Sequence, residues 1–241
     1  MAAIRSPVPN INCKVLDKQS NSVEITKPLK LILSQDLNGG ISLNGKVPWT
    51  FKNAIKFTRC ATMGAEITPE QCKTIFANDN LPVTNKLNAV IMGHETFKRL
   101  NNIPLHSRQN YVLTKSNLIN FLAGPDGSIP NNSKYSNLKI KSDIDHALID
   151  ANENSKIDSI FFVGGAQVYN RVIEDTNYNF HTVYVMTINH NYGCDTFIDG
   201  AKLYERVENE AYNKKVLHSD ADFTITEYQN KYSIGHKNIL D

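Results

Sequence analysis

The chain of 241 residues is 41% hydrophobic and 21% charged, the composition of a soluble globular protein large enough to bury its own core. Its 26 basic and 24 acidic residues give a net charge of +2 and are spread along the chain, so no basic stripe for nucleic acid is predicted. No apolar run approaches the ~20 residues of a membrane span. We therefore expect a protein that binds neither nucleic acid nor membranes.

The cysteines indicate a reducing compartment. They lie at irregular spacing, without a CxxC pair or a histidine in metal-ligand register, which predicts free thiols and no metal site. The four are Cys13, Cys60, Cys72 and Cys194. The cytosol is the expected location. A mitochondrial leader is the alternative, because the first 14 residues contain two basic side chains and the first acid is Asp17.

The amino-terminal residues 1–28 lack sustained periodicity and are predicted to be an extension that adds a strand or wraps the domain. A βαβ rhythm follows. Strands are predicted at 29–34, 87–93, 109–114, 159–165, 181–189 and 222–231. Helices are predicted at 50–62, 94–100, 143–152 and 166–175, with Ser142 as the cap of the third. Residues 116–137 are predicted to form a loop. Together these elements predict one α/β domain with a mostly parallel sheet and an antiparallel last strand.

Residues 62–86 form a polar insertion between the first predicted helix and the second predicted strand. A short helix is expected from Pro69 to Phe76, with Thr68 as its N-cap. The insertion and the extension either cover the core or dock onto a protein partner.

Five short motifs in the sequence resemble those of a known enzyme family. They are VPW (47–49), VIMGHETF (90–97), PLHSRQNYVLT (104–114), FFVGGAQVY (161–169) and CDTF (194–197). In this order they resemble dihydrofolate reductase over residues 29–232, with eukaryotic, fungal-like members looking closest and 233–241 left as a tail. The resemblance implies a three-layer fold, a sheet flanked by helices, and NADPH-dependent reduction of 7,8-dihydrofolate to tetrahydrofolate.

Gly164 and Gly165 end a predicted strand and open a helix, so their amides can approach a cofactor pyrophosphate. The resemblance adds further contacts to NADPH, with Lys115 and His94 near the adenosine 2′-phosphate. The full set of implied cofactor residues is Gly93, Thr96, Thr114, Lys115, Gly164, Gly165, Gln167 and Tyr169.

Arg108 matches the family arginine that grips the α-carboxylate of the folate tail, a task suited to a planar bidentate donor. The resemblance also implies a folate pocket lined by Ile41, Trp49, Phe57 and Leu105. A folate-like small molecule is therefore the expected ligand.

The pattern breaks at the group that protonates the substrate. The family places an Asp or Glu five or six positions after the tryptophan, where this chain has Ala54 and Ile55, and nothing acidic occurs between Asp36 and Glu66. The threonine that partners this acid falls at Met186. We therefore expect turnover to be strongly reduced or absent.

Three readings stay open from the sequence. The first is an active reductase in which water or another carboxylate, such as Asp36, supplies the missing function. The second is a non-catalytic protein of the same fold that binds NADPH or a protein partner. The third is a reductase of another small heterocycle, for which an apolar wall at Ala54 and Met186 would be an adaptation.

Overall fold

The structure, a computed structural model, describes residues 13–65, 67–78, 84–115 and 135–233. Its strands are β1 (Cys13–Leu16), β2 (Ser22–Ile25), β3 (Leu29–Gln35), β4 (Gly40–Ser42), β5 (Leu87–Gly93), β6 (Arg108–Leu113), β7 (Leu138–Lys141), β8 (Ile157–Phe162), β9 (Thr182–Ile188), β10 (Thr196–Phe197), β11 (Tyr212–Ser219) and β12 (Phe223–Asn230). Its helices are α1 (Lys52–Thr62), α2 (Pro69–Ala77), α3 (His94–Arg99), α4 (Ile144–Glu153), α5 (Ala166–Glu174) and α6 (Gly200–Val207), and a 3₁₀ turn spans Lys231–Ser233.

Eight strands form the central sheet in the order β11-β12-β9-β3-β8-β5-β6-β7. All pairs from β9 to β7 are parallel, whereas β12 pairs antiparallel with both β9 and β11. The predicted α/β fold, with a mostly parallel sheet, an antiparallel finish and flanking helices, is thus confirmed. Two small ladders, β1-β2 and β4-β10, lie outside this sheet.

Strand alternation divides the interior into two cores. In β3, Leu31 and Leu33 face a core that also contains residues of α4, α5 and α6. Ile32 faces the opposite side, where α1, α2 and α3 pack. Successive side chains of a strand point to opposite faces, so a sheet covered on both sides reads as a continuous apolar run, as LKLILS does.

The extension builds a hairpin that covers α4. Cys13, Val15 and Ile25 are buried in the core on this side of the sheet. The Asn152 side chain accepts a hydrogen bond from the Thr26 amide at 3.0 Å and donates one to a backbone carbonyl of β2. The described part of the extension therefore wraps the domain. Residues 1–12 lie outside the described ranges.

The insertion contributes α2, which packs on α1 and reaches β11. Thr68 accepts a hydrogen bond from the Gln71 amide at 3.2 Å, so the predicted N-cap is confirmed. Cys72 and Ile75 are buried, and the Phe76 ring lies 4.8 Å from the imidazole of His218. The described part of the insertion covers the α1 side of the core; residues 66 and 79–83 are outside it.

Two details of the predicted elements differ. The N-cap of α4 is Asp143, which accepts a hydrogen bond from the His146 amide at 2.9 Å, so the prediction of Ser142 was wrong by one residue. Strands β4, β7, β10 and β11 and helix α6 were not predicted. Strands β7 and β11 lie at the sheet edges with little buried surface, so their apolar pattern is weak. Most of the predicted 116–137 loop, and the tail after Ser233, lie outside the described residues.

Candidate functional site

A cavity of about 900 Å³ lies at the carboxyl ends of the parallel strands β5 and β6. Ligands of open α/β sheets bind at this edge, because the strand-to-helix connections expose backbone amides there. One end of the cavity is bounded by Ile41, Ser42 and Thr196 of the β4-β10 ladder. The other end is bounded by residues that follow β6 and β7. The two ends of the cavity thus offer a ligand different surroundings.

The glycine pair forms the middle of the cavity wall. Gly164 has a φ of +104°, and a Cβ there would lie 2.9 Å from the Tyr169 ring. Gly165 is the N-cap of α5, and a Cβ on it would lie 3.2 Å from the Thr96 hydroxyl. The peptide bond between the two glycines is cis. With no side chains here, the first amides of the nine-residue helix α5 are open to a ligand.

Six of the eight predicted cofactor residues line this cavity: Gly93, Thr96, Thr114, Lys115, Gly165 and Gln167. The other two lie behind the wall. Gly164 holds the turn, and its carbonyl accepts a hydrogen bond from the Gly93 amide at 2.8 Å. Tyr169 is buried, and its hydroxyl donates to the Ile32 carbonyl at 2.8 Å. The structure thus brings the predicted set together around one space.

The cavity carries charges of both signs. Arg99, Lys115 and Arg171 contribute positive charge, whereas Glu95, Asp143 and Asp145 contribute negative charge. Burial, followed by the nearby Lys98, lowers the pKa of His94 and so favours its neutral form. The positive and negative side chains are equal in number, so the electrostatic effect on a ligand depends on which of them each part of the ligand contacts.

Ala54 and Met186, the positions at which the sequence predicts loss of the family acid and its partner, form part of an apolar wall. Ala54 and Met186 are 8% and 2% exposed and belong to the same buried cluster as Trp49 and Phe57. Ile55 is 58% exposed and points to solvent. Helix α1 therefore turns position 54, not 55, toward the sheet, so of the two positions predicted to lack the family acid only Ala54 faces the interior. The structure brings the two departures from the family pattern into one cluster.

The predicted folate-pocket residues are distributed around this wall. Ile41 lines the cavity, Leu105 packs on the edge of the cluster, and Phe57 is completely buried, with its ring 5.6 Å from that of Tyr184. Trp49 is 6% exposed, and its ring lies 5.4 Å from that of Tyr192. Trp49 and Phe57 thus act as packed walls and present little surface to a ligand.

Asp36 holds two loops together. Its carboxylate accepts backbone amides from Gly40 at 2.9 Å, Asn38 at 3.0 Å and Tyr192 at 3.1 Å, and also accepts the Cys194 thiol. Burial raises the pKa of Asp36, but these hydrogen bonds outweigh it and hold the pKa below its ordinary value. A carboxylate committed in this way stays ionised and is a poor proton donor.

Arg108 is a buried cation. It is 5% exposed, and its guanidinium donates to the Thr62 hydroxyl at 2.7 Å and to the His106 carbonyl at 2.9 Å. Burial, followed by the charge of Arg59, lowers its pKa to about 10. Within the described ranges no acidic side chain forms a salt bridge with it. A buried charge of this kind is stabilised when an anionic ligand supplies the missing partner.

Within the described ranges, no cluster of three or more His, Cys, Asp or Glu side chains is arranged to hold a metal ion. None of the described helices has the length and apolar character that a bilayer crossing requires.

The family profile described as dihydrofolate reductase matches residues 83–230, more than half of the chain. The chain belongs to the dihydrofolate reductase family. The matched residues include the glycine pair and Arg108, whereas Trp49 and Ala54 precede them. The profile match thus covers the cofactor cavity more completely than the apolar wall.

Individual relatives are distant. The chain is 26% identical over 203 residues to dihydrofolate reductase of Ureaplasma parvum, an alignment that covers 84% of this chain and 97% of that protein. It is also 26% identical to the bifunctional dihydrofolate reductase-thymidylate synthase of Daucus carota, over 77% of this chain but only 31% of that protein. A closer affinity to eukaryotic or fungal members stays a prediction.

A solved structure supports the fold. The dihydrofolate reductase of Enterococcus faecalis, complexed with NADP(H) and RAB-propyl, superposes with a TM-score of 0.54 at 19% identity and covers 85% of this chain and 96% of that one. The dihydrofolate reductase-like three-layer architecture is therefore confirmed.

Several cavity residues were missed in the sequence. They include Ser142, Asp143, Asp145, Arg171 and Tyr178. Three of them follow β7, a strand that was not predicted. Recognition of the four-residue strand LKIK would have placed the start of α4 beside the end of β6.

Proposed function

We propose that this member of the dihydrofolate reductase family binds NADPH and a folate-like ligand and reduces 7,8-dihydrofolate slowly or not at all. The contrast between two regions carries the proposal. The cavity around Gly165 has the groups that a dinucleotide requires. The side chains of Ala54 and Met186, which take the place of the proton-transfer pair, cannot transfer a proton themselves.

The cavity residues fit NADPH. A pyrophosphate needs backbone amides and room for close approach, and the side-chain-free turn before α5 provides both. Hydroxyl, amide and ammonium donors surround this point, from Thr96, Thr114, Lys115 and Gln167. When bound, NADPH supplies the hydride that reduces the heterocycle. The protein residues bind and orient the cofactor.

Arg108 supports a folate-like ligand. A guanidinium that is 5% exposed and has no acidic partner in the described ranges favours an anion with planar, bidentate geometry. The carboxylate of a folate tail has this geometry. Arg59, whose charge lowers the pKa of Arg108, adds to the positive potential there.

Loss of the acid affects the chemical step. The family carboxylate binds the 2-amino group and N3 of the pterin and supports protonation at N5. Methyl and thioether groups at positions 54 and 186 neither donate nor accept this proton. Positioned proton transfer contributes about 10²–10⁴ in rate, which is the loss we expect here.

One observation favours a second candidate, a non-catalytic nucleotide-binding protein. Met186 and Phe57 fill the wall almost completely, at 2% and 0% exposure. A pocket adapted to a different heterocycle would leave space there.

A protein partner bound through the extension or the insertion remains a prediction. The four cysteines are all free thiols, which supports a cytosolic location.

The test is NADPH oxidation with dihydrofolate, measured alongside NADPH binding by calorimetry. Ala54→Asp combined with Met186→Thr restores the acid and its partner. Ile55→Asp combined with Met186→Thr is the matched control, because position 55 faces solvent. We expect intact NADPH binding in all three proteins, with turnover rising by about 10²-fold or more only in the Ala54 variant.

Other outcomes would revise the proposal in different ways. Fast turnover by the unmodified protein would show that another group supplies the proton. Absence of NADPH binding would remove the cofactor half of the proposal. NADPH binding without rescue by the double variant would favour the non-catalytic candidate.

A further inference from the structure

The cavity gives a bound dinucleotide a direction. Its pyrophosphate would lie at the Gly165 turn, in the middle of the wall. The end bounded by Ile41 also includes Thr196. Cys194, two residues before Thr196, packs against the buried cluster that holds Ala54 and Met186, so we assign the nicotinamide to this end. The adenosine half therefore lies at the other end, beside the residues that follow β6 and β7.

Strand register places two opposite charges together at this end. Leu113 pairs with Lys141, and the Thr114 amide donates to the Lys141 carbonyl at 3.0 Å. Lys115 and Asp143 each stand two residues beyond this pair, and both line the cavity. An adenosine 2′-phosphate at this end would thus meet an ammonium and a carboxylate on adjacent strand ends.

The Asp143 carboxylate is fixed and charged. It caps α4 through the His146 amide at 2.9 Å, accepts the Ser142 hydroxyl at 2.7 Å and contacts the His146 imidazole at 2.6 Å. Burial raises the pKa of Asp143, but these hydrogen bonds lower it below the ordinary value. The carboxylate therefore cannot easily turn away or take up a proton to avoid a phosphate.

The other cations near this end offer little compensation. Arg171 is paired with Asp175 at 3.2 Å, and burial lowers the pKa of the His94 imidazole, which disfavours its charged form. Arg99 lies at the far end of α3, one helix away from the strand ends. Asp145 adds a further negative charge close to Asp143.

We propose that Asp143 offsets Lys115 at the adenosine end, so that the cavity discriminates weakly between NADPH and NADH. The inference rests on the proposed binding of NADPH. It goes further, because it assigns cofactor selectivity to one pair of side chains. NADH, which lacks the 2′-phosphate, avoids the repulsion from Asp143 and loses only the attraction of Lys115.

The test is the dissociation constant of each nucleotide, measured by calorimetry without a folate ligand. For the unmodified protein we expect NADPH to bind no more than about tenfold more tightly than NADH. Asp143→Asn keeps a capping oxygen and removes the charge, and should tighten NADPH binding about five- to tenfold while changing NADH binding less than about twofold. Lys115→Gln should weaken NADPH binding by a similar factor.

Asp143→Ser, which also caps helices, replaces Asp143→Asn if the latter does not fold. A preference for NADPH above about 100-fold in the unmodified protein, unchanged by either variant, overturns the inference and leaves the proposed function intact. If neither NADPH nor NADH binds, both this inference and the proposed function are overturned.

Discussion

The cofactor cavity and the apolar wall belong to one sheet but depend on opposite kinds of residue. The cavity requires the absence of side chains at Gly164 and Gly165, and these glycines are also needed for the backbone to turn and pack. The wall would require a buried carboxylate for catalysis, which the fold itself does not need. Binding and catalysis are therefore constrained differently in the same molecule.

The difference has an energetic cause. A side chain at Gly164 would strain the backbone and strike Tyr169, so a change in the cavity costs stability. A buried carboxylate costs desolvation energy, which the apolar side chains of Ala54 and Met186 avoid. The fold is thus compatible with an apolar residue at position 54.

The largest effect is expected for Gly164→Ala. Its φ of +104° and the 2.9 Å approach to the Tyr169 ring should lower the free energy of unfolding by about 3 kcal/mol and abolish NADPH binding. Gly193→Ala is the control, because its φ is +63° but its Cβ would meet open space. The control should lose only about 1–2 kcal/mol and keep the cofactor, as measured by urea denaturation and calorimetry.

Ala54→Asp alone should lower the free energy of unfolding by about 3 kcal/mol at pH 7, because a buried carboxylate without a partner is unfavourable. Burial raises the pKa of such a carboxyl above the unfolded value, so stability is retained below about pH 4 and lost as the pH rises through the folded pKa. Ile55→Asp, in solvent, should change stability by less than about 0.5 kcal/mol. Equal losses of unfolding free energy in Ala54→Asp and Ile55→Asp would contradict the placement of position 54 in a buried apolar wall.

Arg108→Met should weaken binding of a folate-like ligand by about 2 kcal/mol, since a hydrogen-bonded ion pair with the tail is lost. Stability should stay the same or rise, because a buried unpaired charge is removed and Thr62 retains its bond to the Thr58 carbonyl at 2.7 Å. Calorimetry with dihydrofolate and with a ligand that lacks the glutamate tail measures the effect. A loss of the same size for both ligands would exclude a role in tail binding.

The smallest effect is expected for Asp36→Asn, which tests the connection between the two regions. An amide cannot accept three backbone amides as strongly, so we expect a loss of about 1–2 kcal/mol at pH 7. The folded pKa of Asp36 is lowered, so its stabilisation is present above the unfolded value and disappears as the pH falls through the folded pKa. The two unfolding curves should converge in acid. A difference that persists there would point to altered packing instead.

Much of the fold followed from local patterns. Continuous apolar runs such as LKLILS predict strands covered on both faces, and Thr68 before Pro69 predicts the start of α2. Strands β7 and β11 escaped prediction because they lie at the sheet edges, where one face or one side remains in solvent. Their apolar pattern is correspondingly weak.

The site was predicted less evenly. Motifs located Gly165 and Lys115, because backbone shape and charge leave a local signature. The role of Asp36 could not be predicted, since its hydrogen bond to the Tyr192 amide joins residues 156 positions apart. The choice between positions 54 and 55 likewise required the orientation of α1 against the sheet.

Gly40 has a consequence for the history of the family. A Cβ there would lie 2.3 Å from the Cβ of Cys194, so the cysteine occupies the space that a larger residue at position 40 would need. The two positions share one volume beside the β4-β10 ladder. Because the clash is with the Cβ atom, we expect relatives with a side chain at position 40 to have glycine at position 194. The order in which mutations accumulate would then matter, because position 194 must lose its side chain before position 40 can gain one.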